Sequence, residues 1–578
     1  MNIRTFLAKD EPAAAGRGTV ADRCFVFACT VLFYLFSNLL ITGIAFLLYG
    51  RMTVAIEIAS MVLTAGFAYF FCKPFFPHAR AAAVGILLAA IALFAAAILL
   101  NAPVYDISYD GQTYQQEAVI QLSNGWNPVY QDLANEVIGG DSKWINYYPK
   151  SSWINESYIY LLTHAERTAK ALNAVLIIVS IVLVYVALTD TGLLGSFNAW
   201  VVSIILGCNP ISFNQIFSFY VDGQLMSLLL CICAAGMIMY AGKRRWGFVP
   251  LFLALPAFIN LKFTGLVDAI IILFVLVLAL WMKRVEIATL KALAVGAAAI
   301  AIGVLVIGAS PYITNVVRYG TPFYPLYGPN AIDLKPYNVP GNFLDKSSPE
   351  ILFLSMFTQS GDLKEAGTTA PYKLPFTYSP GELVAFRYPD PVEGGFGPLF
   401  GGAVILTVFA LALYYLWARR QHGGKNYRRT FWGAAWLMLA AVVMCVVNPI
   451  SSLARYVPQA YFIVMIPIIL LLATRRAWSR VAAYAIIALL AANSWIIGST
   501  YVSYNLRTSR AIAADLASLA AESKTESVLV YFNEFRSTRV MLAEAGVRYT
   551  ATNNPDSCLK GFQYLLPENT TEFCVTSG

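Results

Sequence analysis

Apolar runs about as long as a bilayer is thick recur along this chain, and a water-soluble fold has no interior able to bury them all. About thirteen are legible, near residues 23–48, 53–72, 81–101, 169–188, 195–208, 223–241, 247–259, 265–282, 291–309, 398–418, 430–447, 458–473 and 480–498. The fifth and seventh are short for a span and fit tilted, broken or re-entrant segments. Charged residues make up only 12% of the 578, against roughly 25% in a soluble domain. A soluble enzyme, a disordered chain and a nucleic-acid binder are excluded together. The net charge of +8 then reads as topology, because the basic residues gather in short clusters between apolar runs.

Those clusters fall on alternate loops. One side holds Arg4, Lys9, Arg17 and Arg23, then Lys73 and Arg80, then Lys243, Arg244 and Arg245. It continues through Lys283, Arg284 and Lys291, then Arg419, Arg420, Lys425, Arg428 and Arg429, then Arg475, Arg476 and Arg480. The short loops opposite hold little beyond Arg51, Lys262 and Arg455. The rule that cytoplasmic loops are basic predicts a cytoplasmic N-terminus, with no cleavable signal peptide. The expected fold is an all-α polytopic membrane domain over residues 1–498, with extracytoplasmic loops 102–165 and 310–397. A small extracytoplasmic α/β domain follows over 499–578, helix-like at 505–522 and strand-like at Val528–Phe532 and Val547–Thr550. The Ala-rich spans suggest a bacterium, hence an inner-membrane protein facing the periplasm. Residues 112–123 put Tyr114, Ala118, Val119 and Leu122 on one helical face, the pattern of a helix lying on the outer membrane surface.

Of nine cysteines, Cys558 and Cys574 lie in the outer domain, where an oxidising compartment would pair them with a gain of roughly 3 kcal/mol. The three histidines, His78, His164 and His422, lie far apart, and the chain has neither a Cys/His metal cluster nor a phosphate-binding glycine loop of the P-loop kind. No cofactor is expected; Asp106, Asp110 and Glu117 are the residues able to take a divalent metal. The chemistry then rests on charged residues at the outer ends of spans, because an ionisable group at membrane depth is costly. The densest pattern is Tyr105-Asp106-Ile107-Ser108-Tyr109-Asp110-Gly111-Gln112-Thr113-Tyr114. A carboxylate there can act as a general base toward a sugar hydroxyl. Asp110 is equally suited to cap the helix after it, and Asp222, at the start of another span, to cap that one. Glu57, within the second span, is expected to be buried.

The stretch Tyr109-Asp110-Gly111-Gln112-Thr113-Tyr114-Gln115-Gln116 resembles the Asp-bearing first outer loop of the GT-C membrane glycosyltransferases, with Gln115 where many bacterial members carry His. Arg318-Tyr319-Gly320-Thr321-Pro322-Phe323-Tyr324-Pro325 and Ala454-Arg455-Tyr456-Val457-Pro458 are similar to two later stretches of that family. The relatives in view are enzymes of the bacterial aminoarabinose-transferase and protein mannosyltransferase type. The resemblance covers the membrane core. It implies transfer of a sugar from a polyprenyl-phosphate donor to a glycan or glycolipid acceptor outside the cytoplasm, with inversion, and a first-loop carboxylate as base.

On that reading Asp110 is the expected base and Asp106 a second carboxylate. Lys262, Arg318 and Arg455 are the expected phosphate ligands, because fixed cations stabilise charge developing on a leaving phosphate. Tyr109, Tyr114, Asp222, Tyr319 and Tyr456 are the expected substrate contacts, and the Pro- and Gly-rich loop 329–397 a lid. Lys262 can instead pair with Asp268 six residues on. Two other functions share this setting: a polymerase or ligase acting on pyrophosphate-linked glycans, and a flippase or transporter. A transporter predicts inverted repeats and charges near the midplane, and neither is visible. The sequons at Asn155 and Asn569 are short enough to arise by chance.

Overall fold

The apolar runs fold as helices. The computed structural model describes residues 18–139, 141–363, 367–421, 424–554, 557–558, 563–567 and 569–576. Arg4, Lys9, Arg17 and His422 lie outside the described residues. Among the described residues, ten helices are long and apolar enough to cross a membrane: α1 (Val20–Leu47), α2 (Val54–Cys72), α3 (Ala79–Asn101), α6 (Glu166–Asp190), α8 (Asp222–Ala241), α10 (Phe263–Met282), α11 (Glu286–Ile307), α12 (Phe400–Arg420), α13 (Lys425–Val446) and α15 (Ala477–Glu522). The two short runs are the short helices α7 (Ser196–Gly207) and α9 (Val249–Ile259), and α14 (Pro458–Ala473) is also short. The segment between α3 and α6 includes α4 (Gln116–Ser123) and α5 (Ser151–Thr163), which are too short to be spans.

Helix α6 is buried almost throughout, with α1, α7 and α8 packed against it. By contrast α3 leaves Leu88, Ile91 and Leu99 exposed, the kind of apolar surface that suits a helix facing lipid. Thr19 and Asp22 form a capping box that starts α1. Arg244 then pairs with Asp22 at 2.6 Å and Asp190 at 2.5 Å, tying α1, α6 and the segment after α8 at one end of the bundle.

Two expectations change. The surface helix is not a surface helix: Gln116, Glu117, Ala118, Val119, Ile120 and Leu122 of α4 are all buried. Its polar face meets protein, since Arg539 donates to Glu117 at 2.5 and 2.8 Å and the Ser537 hydroxyl donates to the Gln112 carbonyl at 2.6 Å. The last span and the helical stretch after it are one helix, because α15 runs unbroken from Ala477 to Glu522.

The C-terminal sheet has strands β1 (Ser527–Tyr531), β2 (Thr550–Ala551), β3 (Gln563–Leu566) and β4 (Asn569–Thr576), in the order β2-β1-β4-β3. β1 is parallel to β2 and antiparallel to β4. A short helix α16 (Thr538–Glu544) follows β1. The core of this domain takes Ile512, Leu516 and Leu519 from α15, Val528 and Val530 from β1, and Tyr105 and Ile107 from the loop after α3. That loop, which carries the Asp motif, is thus part of the domain's interior. Cys574 of β4 is disulfide-bonded to Cys558. Replacing both cysteines by serine is expected to lower the stability of this domain by about 3 kcal/mol, read as a lower midpoint of thermal unfolding that reductant no longer shifts. Both sequon asparagines are buried and hydrogen-bonded: Asn155 donates to Ser151 O at 3.2 Å, and Asn569 to Gln112 Oε1 at 2.7 Å. Neither side-chain amide is accessible to a glycosylating enzyme in the folded chain.

Candidate active site

Asp106 and Asp110 lie four residues apart, yet they do different things. Residues 104–108 are non-helical, so the two carboxylates do not share a helix face. Asp106 is 2% exposed. It accepts from the Ser108 amide at 2.8 Å, the Ser108 hydroxyl at 2.6 Å and the Phe219 amide at 2.7 Å. Burial raises its pKa, and these hydrogen bonds oppose the rise. A carboxylate so occupied holds the loop after α3 against the segment before α8, and it is not placed as a second catalytic carboxylate. Gly111 belongs to the same turn: a Cβ there would sit 2.1 Å from Asp106 Oδ2 and 2.3 Å from Ser108 Oγ, so the carboxylate occupies the space a side chain would need.

Asp110 precedes one turn of π-helix, Gly111–Gln115, but its side chain makes no capping hydrogen bond. It accepts instead from Arg455 Nη1 at 2.9 Å. The N-cap position expected of Asp222 is taken by Val221, and Asp222 is the first residue of α8. Its Oδ1 is paired with the Lys262 ammonium, and its Oδ2 accepts from Gln215 Nε2 at 3.3 Å and lies 4.0 Å from Arg455 Nη1. Lys262 therefore pairs with Asp222 and not with Asp268. Four charges from four distant parts of the chain meet: Asp110 after α3, Asp222 on α8, Lys262 before α10 and Arg455 before α14. They sit at the end of α8 remote from Lys243, Arg244 and Arg245.

Aromatic rings enclose them. The Lys262 ammonium is 4.3 Å from the Tyr456 ring centre, and the Arg455 guanidinium is 4.9 Å from both Tyr456 and Tyr220. Tyr114 packs beside the cluster, edge-on to Trp153 at 6.4 Å. The Tyr220 hydroxyl donates to Asp390 at 2.9 Å, which brings the loop before α12 onto the cluster. Burial pulls the Lys262 pKa down while Asp222 pushes it back up. Arg455 Nε is buried without a hydrogen-bond partner among the described residues, a donor that costs stability unless an acceptor meets it.

No family model matches this chain, and no curated protein sequence matches it. The geometry of the cluster is therefore what speaks to function.

Arg318 does not join the cluster. Gly320, in the left-handed region at φ +73°, ends its short helix, and Asp132 takes the guanidinium at 2.5 Å on a partly exposed surface. Tyr319 stays with it, stacked on Tyr324 at 3.7 Å and edge-on to Tyr147 at 5.2 Å. Of the three cations expected to act together, the structure brings Lys262 and Arg455 into one network and leaves Arg318 apart. Among the described residues Asp106, Asp110 and Glu117 do not gather into one group: Phe219, Arg455 and Arg539 respectively engage them. Tyr109 is 41% exposed, and its hydroxyl donates to Glu534 of the C-terminal domain at 2.9 Å.

Sequence reasoning passed over Tyr220, Asp390 and Lys150. Tyr220 is two residues from Asp222, while Asp390 sits in Tyr-Pro-Asp-Pro inside a long loop. Lys150 is buried, donates to the carbonyls of Asn146 at 2.9 Å and Tyr148 at 2.7 Å, and is lowered by burial to about 7.

Asp141 lies close to Asp110 and Glu534. Burial and these two carboxylates raise its pKa to about 6, against an ordinary 3.8. The folded state therefore holds Asp141's proton more tightly than the unfolded chain, and stability falls as pH rises from about 4 to 6. Asp141→Asn is expected to stabilise the protein by about 1 kcal/mol at pH 7.5, after allowing for partial exposure. The gain should vanish below about pH 4, which thermal unfolding at the two pH values checks.

Proposed function

We propose that this chain is an integral membrane glycosyltransferase of the GT-C type, taking a sugar from a polyprenyl-phosphate donor and passing it to a glycan or glycolipid acceptor. The observation that carries the reading is the convergence of Asp110, Asp222, Lys262 and Arg455 at one end of the spans, with a buried guanidinium donor that has no partner among the described residues. A candidate base and two candidate phosphate ligands lie within one ion-pair network. Plain transport needs no such network at the rim of the bundle.

In the proposed reaction Asp110 accepts the proton of an acceptor hydroxyl. The freed oxygen attacks the anomeric carbon from the face opposite the phosphate. The bond from that carbon to the phosphate oxygen breaks, its electron pair leaves with the phosphate, and the configuration inverts. Lys262 and Arg455 hold the charge that accumulates on the leaving group, Arg455 through directed N–H donors and Lys262 as a point charge. Asp222 positions Lys262. The lipid tail lies in a groove between spans. The distribution of basic loops supports an extracytoplasmic, periplasmic active site and C-terminal domain in an inner membrane.

The test supplies purified protein in liposomes with a panel of polyprenyl-phosphate sugars and follows release of free polyprenyl phosphate. Consumption of a monophosphate donor is the expected result. Consumption of a pyrophosphate-linked oligosaccharide in its place would make the protein a polymerase or ligase.

A further inference from the structure

The loop before α12 turns apolar side chains outward. Leu374 is 76% exposed, Phe353 61%, and Tyr372, Phe376 and Tyr378 are half-exposed. An apolar surface of this kind is costly in water and marks a contact with a partner or a membrane. Charge does little to dilute it. Lys373, the one charged residue of 371–378, is drawn back onto Glu382 at 2.5 Å, and its side chain is 8% exposed.

The two neighbouring spans fix where this tip lies. Thr358 bridges to Tyr372, the Gln359 amide donates to the Pro371 carbonyl at 2.9 Å, and the Lys373 amide donates to the Phe357 carbonyl at 3.0 Å. This short ladder lays the tip on the first turn of α12. A Cβ on Gly402 would lie 2.6 Å from the Phe376 ring, and one on Gly401 3.1 Å from the Phe357 ring. Gly402 shares a helix face with Ile405 and Phe409, which are both exposed. The Phe376 ring therefore continues the apolar stripe that α12 turns to lipid. The short helix Ser348–Ser355, which carries Phe353, is fastened beyond the end of α13. There the Ser355 hydroxyl donates to the Ser452 carbonyl at 2.7 Å, and the Ser451 hydroxyl to the Ser348 carbonyl at 2.5 Å.

The stretch suits the boundary between lipid and water. Tyr372 and Tyr378 stand at its ends with Leu374 and Phe376 between them, an amphipathic ring at each edge and apolar bulk in the middle. Pro371 and Pro375 have no amide N–H to leave unsatisfied, and the Thr377 hydroxyl donates to the Leu374 carbonyl at 2.6 Å. Phe376 holds a left-handed backbone, φ +69°, which is unfavourable for a bulky side chain. Contact of its ring with Gly402 and with lipid offsets that cost. A soluble partner would have to enter the bilayer to follow the stripe from Phe376 down to Phe409, whereas lipid meets the whole of it.

We infer that Tyr372–Tyr378 is a membrane anchor, seated among the headgroups and upper acyl chains of the leaflet at that end of α12. It holds the loop before α12 to the bilayer surface. Farther along, the same loop carries Asp390, which accepts from Tyr220 beside Arg455. A loop tethered to lipid at one point thus meets the charge cluster at another. The anchor stands on the spans alone, whatever reaction the cluster performs.

The test attaches an environment-sensitive fluorophore to Leu374→Cys in the full-length protein, one copy per phosphatidylcholine nanodisc. Val408→Cys, on the exposed face of α12, marks lipid, and Lys524→Cys, exposed beyond α15, marks water. Label taken up by the unsubstituted protein is subtracted, since Cys24, Cys208 and Cys233 are partly exposed. The Leu374 label is expected to be quenched by lipid carrying a doxyl group near its headgroup end and to be shielded from aqueous iodide. Adding Phe376→Asp should lose the lipid quenching and gain the iodide quenching, because a carboxylate is costly among lipids. Iodide quenching at Leu374 equal to that at Lys524 overturns the inference. Shielding from both quenchers overturns it too, since protein would then cover the tip. Lipid quenching unchanged by Phe376→Asp also overturns it, because the stretch would lie beside the bilayer without being seated by its ring.

Discussion

Under the proposed glycosyl transfer, Asp110→Asn is expected to slow release of polyprenyl phosphate by about 10²–10⁴-fold, the usual contribution of a positioned general base. The substitution keeps the shape of the side chain, and the amide oxygen can still accept from Arg455. What it removes is the ability to take a proton. Asn caps helices as well as Asp does, and Asp110 makes no capping bond to lose, so a capping role predicts no loss of activity at all. Some stability will go, because Arg455 is buried and loses its nearest counter-charge, leaving Asp222 at 4.0 Å. A loss of about 1–2 kcal/mol fits a charged hydrogen bond replaced by a neutral one, too little to empty the folded state. Donor binding should survive, because Lys262 and Arg455 remain. Full turnover by a well-folded Asp110→Asn protein would remove Asp110 from the reaction. Asp106→Asn provides the contrast. Its amide NH₂ would face one of three donors, at about 1–3 kcal/mol for a buried polar group left unsatisfied. Its activity should fall only in step with the folded fraction.

The difference between these two carboxylates was not legible in the sequence. A spacing of four places side chains together only on a helix, and the chain is not helical until Tyr109. The long spans were legible, because an apolar run of twenty residues has few alternatives to a membrane helix. So were Asp110, Lys262, Asp222 and Arg455 as charges at span ends. Their pairing was not, since it depends on how helices far apart in the chain come together. Arg318 shows the same limit from the other side. Its position beside a span end resembled that of Arg455, but its partner is Asp132, from a loop nearly two hundred residues earlier. The buried face of α4 was missed for a related reason. An amphipathic pattern says that one face is apolar, not that the polar face meets water, and Glu117 meets Arg539.

That last pair carries the largest expected effect on stability. Glu117 has no exposed side-chain surface, while Arg539 is 28% exposed. Arg539→Ala would leave a buried carboxylate with Gln121 Nε2, at 2.7 Å, as its remaining hydrogen-bond donor. Breaking a buried ion pair from one side costs roughly 3–5 kcal/mol, and partial exposure of the arginine places this case near 3 kcal/mol. Glu117→Gln should cost less, because the partner left behind can reach solvent. The double substitution Glu117→Leu/Arg539→Leu should recover much of the loss, because it leaves no unpaired charge at the buried Glu117 side of the contact. Thermal unfolding of the three variants in one detergent checks the order. The consequence reaches the site, because α4 continues directly from the π-turn that follows Asp110. Loosening α4 from the C-terminal domain frees the backbone that aims Asp110 at its partner, so Arg539→Ala should lose turnover even at temperatures where it remains folded. A variant that lost stability by this amount and kept full turnover would show that the C-terminal domain braces the fold without aiming the base.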